Sequence, residues 1–141
     1  MLEQLTIDQI AIIEHSEIHF RPGYNVLTGE TGAGKSILID ALGLVLGERA
    51  DASSIRHGEK RATVSATFRD LSAAHQQALA DDGLDDPDNP GQVVIRRTLR
   101  DGGSKAWVND QNVTGGKLKT LAAALVNIHG QHHNQALLKN D

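Results

Sequence analysis

The chain has 141 residues, 39% hydrophobic and 23% charged, a composition that excludes a disordered segment and suits one domain with a real core. A formal net charge of −4 excludes a wholesale basic nucleic-acid binder while leaving room for a local basic patch, and the lack of cysteine excludes disulfides and thiolate metal sites. No apolar run approaches the roughly 20 residues that span a bilayer, and Met1-Leu2-Glu3-Gln4-Leu5 lacks the pattern of a secretory signal, so a cytoplasmic protein is expected.

Residues 2–20 read as about two strands, carried by Leu5, Ile7, Ile10, Ile12, Ile13, Ile18 and Phe20, before a turn at Arg21-Pro22-Gly23. Tyr24-Asn25-Val26-Leu27-Thr28 reads as a buried strand. It runs into Gly29-Glu30-Thr31-Gly32-Ala33-Gly34-Lys35-Ser36, which fits G-x-x-x-x-G-K-[ST], the phosphate-binding loop of nucleoside triphosphatases. Glycines let such a loop curl so that successive N–H groups face phosphate oxygens at a helix N-terminus. Lys35 would reach the β- and γ-phosphates, and the Ser36 hydroxyl would bind Mg²⁺. The helix that follows places Ile37, Leu38, Ala41, Leu42, Val45 and Leu46 on one apolar stripe and ends near Gly47.

Glu48 to Glu59 reads as loop. Ala62, Val64, Ala66 and Phe68 alternate with polar residues as a half-buried strand. Ser72 is placed to cap a helix through Leu79, with Ala73, Ala74 and Ala78. Asp81 to Gly91 carries five aspartates and two prolines but not the calcium-loop pattern, so a solvated loop is expected. Gln92–Leu99 and Lys105–Asn109 read as a hairpin around Asp101-Gly102-Gly103, with Val93, Ile95 and Leu99 on one side. Trp107 reads as a packing residue, and with aromatics at 3% a base-stacking platform would be meagre. Thr114 caps a helix to about Leu125 through Leu118, Leu121 and Ala122. Val126-Asn127-Ile128 then reads as a short strand entering His129-Gly130-Gln131-His132-His133. The three histidines lack carboxylate or thiolate company, which favours a loop near the nucleotide over a zinc site.

A P-loop hydrolase also needs an apolar strand ending in an acid. The only apolar run ending in Asp is Ile37-Leu38-Ile39-Asp40, on the helix itself. The guanine-reading N-K-x-D pattern is absent, and Thr114-Gly115-Gly116 reads as an ordinary helix start rather than an ABC signature. The chain thus holds a phosphate site without a water-activating carboxylate.

Four segments together carry a specific likeness: the opening Met1-Leu2-Glu3-Gln4-Leu5-Thr6-Ile7, the loop with its continuation Ile37-Leu38-Ile39-Asp40-Ala41-Leu42, Val108-Asn109-Asp110-Gln111, and Ile128-His129-Gly130-Gln131-His132. The sequence resembles the RecN family of bacterial DNA repair ATPases, relatives of the SMC proteins, over essentially its whole length. The resemblance implies an α/β P-loop NTPase fold. Residues 1–141 would be the N-terminal lobe of an ABC-type, SMC-like ATPase head, with an antiparallel β-layer ahead of the P-loop strand. The coiled coil, signature and acidic strand would lie outside the chain. It also implies that ATP and Mg²⁺ are held by Gly29, Glu30, Thr31, Gly32, Ala33, Gly34, Lys35, Ser36 and Gln131. Ser36 and Gln131 would serve the metal, and Gln131 would sense the γ-phosphate. Arg56, in Ser54-Ile55-Arg56-His57-Gly58, resembles the arginine loop of SMC heads, which links nucleotide state to DNA. The family's His-Glu-His-Gln is here His132-His133-Asn134-Gln135, which leaves Gln131 in place.

The implied function is ATP-driven head engagement in DNA double-strand-break repair and recombination. The implied partners are a C-terminal head lobe, a second head and DNA, with no membrane. The implied location is cytoplasmic, on the nucleoid after DNA damage. Two other classes stay open: a non-catalytic nucleotide-binding interaction module, and a small P-loop kinase, for which an arginine-rich lid is missing. No catalytic acid is expected within this lobe, so the chain alone should turn over ATP very slowly, if at all.

Overall fold

The computed structural model describes residues 2–20, 32–49 and 52–127. The expected turn at 21–23 and the strand Tyr24–Thr28 lie outside these residues. The first two elements are strands β1 (Leu2–Ile10) and β2 (Ile13–His19), paired antiparallel. Leu5, Ile7 and Ile10 of β1 are buried. Ile12, expected among the strand residues, instead lies in the turn and is 78% exposed. Beside it, Ala11 has φ +52°, a backbone only the turn requires.

Helix α1 (Gly32–Val45) follows, then a 3₁₀ turn at Ala52–Ser54 and β3 (Arg61–Phe68). Helix α2 (Ala73–Asp81) is capped as expected, the Ser72 hydroxyl accepting from the His75 N–H at 3.2 Å. Its inward residues are His75 and Leu79, whereas Ala73 and Ala74 face solvent. A nine-residue helix with a weak apolar stripe cannot bury Ala73, Ala74 and Ala78 together, and the larger Leu79 decides the orientation.

Strands β4 (Val93–Arg100) and β5 (Gly103–Val108) form the expected hairpin, closed by Asp101 and Gly102. A third strand, β6 (Gln111–Val113), pairs with β5 through a two-residue turn in which Asn109 and Asp110 both have positive φ, +48° and +68°. That is the backbone of a hairpin turn of the primed kind. The Asn109 side chain then serves as a tie: its Oδ1 accepts from the Val94 N–H at 2.9 Å, and its Nδ2 donates to the Leu84 carbonyl at 2.8 Å.

Helix α3 runs from Gly115 to Asn127, with the Lys117 N–H donating to the Thr114 hydroxyl at 3.0 Å. The strand expected at Val126–Ile128 is therefore not formed over Val126 and Asn127, which are helical; Ile128 lies outside the described residues. Val126 continues the helical period at i+8 from Leu118, which accounts for its helical placement.

The six strands make one antiparallel sheet in the order β2-β1-β3-β4-β5-β6. The layer is thus built from strands on both sides of the P-loop, not only ahead of it. β1 pairs with β3 across the whole loop-and-helix segment, Leu5 opposite Ala66 and Ile7 opposite Val64. One face carries the core: Leu5, Ile7, Val64, Ile95, Leu99 and Val108, each 2% exposed or less. Helix α1 covers it at β3, β4 and β1, and α3 covers it at β5. The other face is polar, which is the usual solution for an antiparallel sheet with one wet side.

Candidate nucleotide site

Helix α1 starts at Gly32, inside the Gly29–Ser36 motif, so the backbone of Gly32, Ala33, Gly34 and Lys35 forms its first turn. N–H groups of a first helical turn have no partner within the helix, and the macrodipole makes that end electropositive. No acidic residue stands in this turn to occupy it. The described part of the motif, from Gly32 on, is thus the N-terminal turn of a helix, an end that suits an anion. The helix begins five residues earlier than its apolar stripe alone suggested, because glycines hide its start. Gly29, Glu30, Thr31, Gln131 and the histidines 129, 132 and 133 lie outside the described residues. Asp40, the one acid ending an apolar run, is exposed on α1.

The far end of α1 is held by three devices. The Glu48 N–H donates to the Gly43 carbonyl at 3.0 Å and the Gly47 N–H to the Leu44 carbonyl at 3.2 Å, a Schellman closure. Gly47 takes the φ of +93° that this closure requires. A Cβ on it would fall 2.5 Å from the Lys119 Cα, so the same glycine lets α1 and α3 meet backbone to backbone. The third device is Arg97, 4% exposed on the core face of β4. Its Nη1 donates to the Leu44 and Glu48 carbonyls, each at 2.8 Å, and its Nη2 to the Ser104 hydroxyl at 3.2 Å. A cation on the last carbonyls of a helix also favours its dipole. Burial pushes the Arg97 guanidinium below its usual pKa, yet an arginine stays charged.

Reading the sequence missed Arg97. The signal was present: it shares the inward register of Val93, Ile95 and Leu99, so the alternation that buries them buries it too.

Arg56 lies in the segment between α1 and β3 and is half-buried. Its N–H donates to the Gln9 carbonyl at 2.8 Å, the Ala11 N–H donates to the Ser54 carbonyl at 2.8 Å, and Ile55 bridges Ile10. The arginine segment is thereby clipped to the β1–β2 turn. Gln9 itself has φ +59° at that junction. Thr114, Gly115 and Gly116 form the start of α3, and Asp86 of the aspartate-rich loop accepts from the Asp88 N–H at 3.0 Å as a turn residue.

A P-loop at the mouth of a helix packed on an antiparallel sheet is the architecture of an SMC-type ATPase head. Solved structures agree on the fold. An SMC ATPase chain described for ATP-driven dimerization and DNA-stimulated activation superposes with a TM-score of 0.67 at 24% identity, covering 98% of this chain and 90% of that one. The recombination mediator protein RecF, in a structure described as RecF-ATPrS in the RecFOR pathway, gives a TM-score of 0.65 at 18% identity over 84% of this chain and 29% of its own.

The chain belongs to the AAA-domain family, whose model matches residues 4–138. It is similar along its length to the DNA repair protein RecN: 48% identical to that of Haemophilus influenzae over 143 residues, all of this chain and 26% of the relative. Against Bacillus subtilis RecN the identity is 40%, over all of this chain and 24% of the relative. The chain thus spans about a quarter of the length of these relatives. Membership in such an ATPase family implies an ATP site.

Proposed function

We propose that this chain is the ATP-binding N-terminal lobe, residues 1–141, of a RecN-type ATPase for DNA double-strand-break repair and recombination. The observation that carries the reading is the start of α1 inside Gly29–Ser36, which turns the motif's backbone into the anion-binding end of a helix. Whole-length similarity to RecN supplies the choice among P-loop proteins. The loop amides and Lys35 bind and orient the phosphates, and Arg56 answers nucleotide state at the head surface. The N-terminal end of α1, with no acid in its first turn, fits a polyphosphate. Ser36 and Gln131 would hold Mg²⁺, which would supply charge neutralisation for the phosphates when bound.

The water-activating acid and the signature come from a C-terminal lobe and a second head. ATP binding then closes two heads on each other and hydrolysis releases them. The setting is cytoplasmic, on the nucleoid after DNA damage.

The test has two arms. Lys35→Ala should abolish binding of a fluorescent ATP analogue while the circular dichroism spectrum stays unchanged; retained affinity would overturn the reading. ATP turnover by the chain alone should be very slow and should rise when a C-terminal lobe is supplied. Robust turnover by the chain alone would instead favour an independent P-loop enzyme.

A further inference from the structure

The outward face of β3, β4 and β5 concentrates positive charge on a chain whose formal net charge is −4. Arg61, Arg96, Arg100 and Lys105 are all exposed there, around a depression of ≈ 610 Å³ that holds one carboxylate, Asp101. Among the described residues none of the four has an ion-pair partner; the ion pairs lie elsewhere, at Asp8–His15, Glu17–His19, Glu3–Arg69 and Asp82–Lys117. Arg61 and Arg100 stand directly opposite each other in the β3–β4 register. Like charges so placed oppose pairing, so the fold carries a local cost there that an anion would relieve.

Arg96 stands opposite Trp107, and its guanidinium lies over the indole, 4.5 Å from the ring centroid. Stacking fixes the plane of the arginine and leaves its N–H edge free for an oxygen pair, which suits a phosphate. It also covers the ring, so Trp107 serves as a support for Arg96 and not as a base-stacking platform. From Arg96 to Arg100 is four residues, ~13 Å of strand, a length along which a duplex carries on the order of eight phosphate charges. Cations spaced along this exposed sheet face match the charge spacing of such a backbone.

We propose that this outer sheet face binds the sugar-phosphate backbone of duplex DNA, without reading sequence, through Arg61, Arg96, Arg100 and Lys105. The choice of DNA among polyanions rests on the repair-ATPase reading; the cation array does not. The face lies on the opposite side of the sheet from α1, the helix that opens in the phosphate-loop motif.

The test is fluorescence anisotropy of the whole chain with a labelled duplex of ~30 base pairs, over ~50 to 200 mM KCl. Four engaged cations predict a slope of log K against log salt of about −3.6. Arg96→Gln/Arg100→Gln/Lys105→Gln should shift that slope by about 2.7 toward zero and weaken binding at least ~10-fold at the lowest salt. Lys105→Gln alone, on an exposed side chain, should shift it by about 0.9 and guards against a folding defect in the triple variant. Binding of the ATP analogue should be unchanged in both.

Equal DNA affinity and slope in parent and variants would overturn the proposal. So would polyglutamate competing as well as duplex at equal charge, which would assign the face to an acidic protein. Lys35→Ala should keep DNA binding; if the parent failed to bind nucleotide while these slopes held, the ATPase reading would fall and the DNA surface would stand.

Discussion

Arg97 Nη1 donates to the carbonyl of Leu44 at 2.8 Å, joining the core side of β4 to the last turn of the helix that begins in the P-loop. A buried guanidinium answering two carbonyls and a hydroxyl gives α1 a fixed end far from the phosphates. Removing it leaves the Glu48 carbonyl without the bond it had, while Leu44 keeps the Gly47 N–H. Charge-assisted hydrogen bonds are worth roughly 1.5–3 kcal/mol each, so Arg97→Ala should cost about 3 kcal/mol or more. Arg97→Lys should recover only part, because an ammonium lacks the planar fork. Urea denaturation measures the first effect, and weaker ATP-analogue binding should accompany it. Unchanged stability in Arg97→Ala would show that α1 is held by apolar packing alone.

Gly47 and Gly102 offer a matched comparison. Both have positive φ, +93° and +91°. Nothing lies within 4 Å of a Cβ built on Gly102, while one on Gly47 meets the Lys119 Cα at 2.5 Å and its N at 2.7 Å. Gly102→Ala should therefore cost only backbone strain, about 1 kcal/mol. Gly47→Ala must in addition push α1 away from α3, and its loss should be at least about twice as large. Thermal melts of the two variants decide this; equal losses would mean the α1–α3 approach carries no weight.

Asp8 and His15 face each other across β1 and β2. The hydrogen bond from His15 Nδ1 to Asp8, then the Asp8 charge, raise the imidazole pKa above the ordinary 6.5; slight burial opposes this and Glu17 adds a smaller push. The folded value is thus above the unfolded one. The pair's contribution is complete below about 6.5 and fades as pH rises through the folded pKa. A proton NMR titration should place His15 above 6.5, and Asp8→Asn should bring it back toward that value. A titration unmoved by Asp8→Asn would remove Asp8 as the cause.

The P-loop was legible because its chemistry is local: glycine, lysine and serine at set spacings state where a helix must open. Caps were legible for the same reason, as Ser72, Gly47 and Thr114 act on backbone groups within four residues. The turn at Asn109-Asp110 was not legible: the expected strand ran through Asn109, and the strand after the turn is only three residues long. The anchor of the helix behind the candidate site was not legible. Arg97 acts on carbonyls 49 and 53 residues away, and no short pattern records such a partner.

The sequence by itself determined the phosphate-loop motif, the period-two strands, the helix caps at Ser72, Gly47 and Thr114 and the family resemblance, since each depends on neighbours a few residues apart. Only the tertiary structure decided that β1 lies between β2 and β3, that Arg97 anchors α1, and that four cations share one open face. Each of these depends on which distant strands pair and in what register, and a shift of one residue would exchange the core face for the wet one.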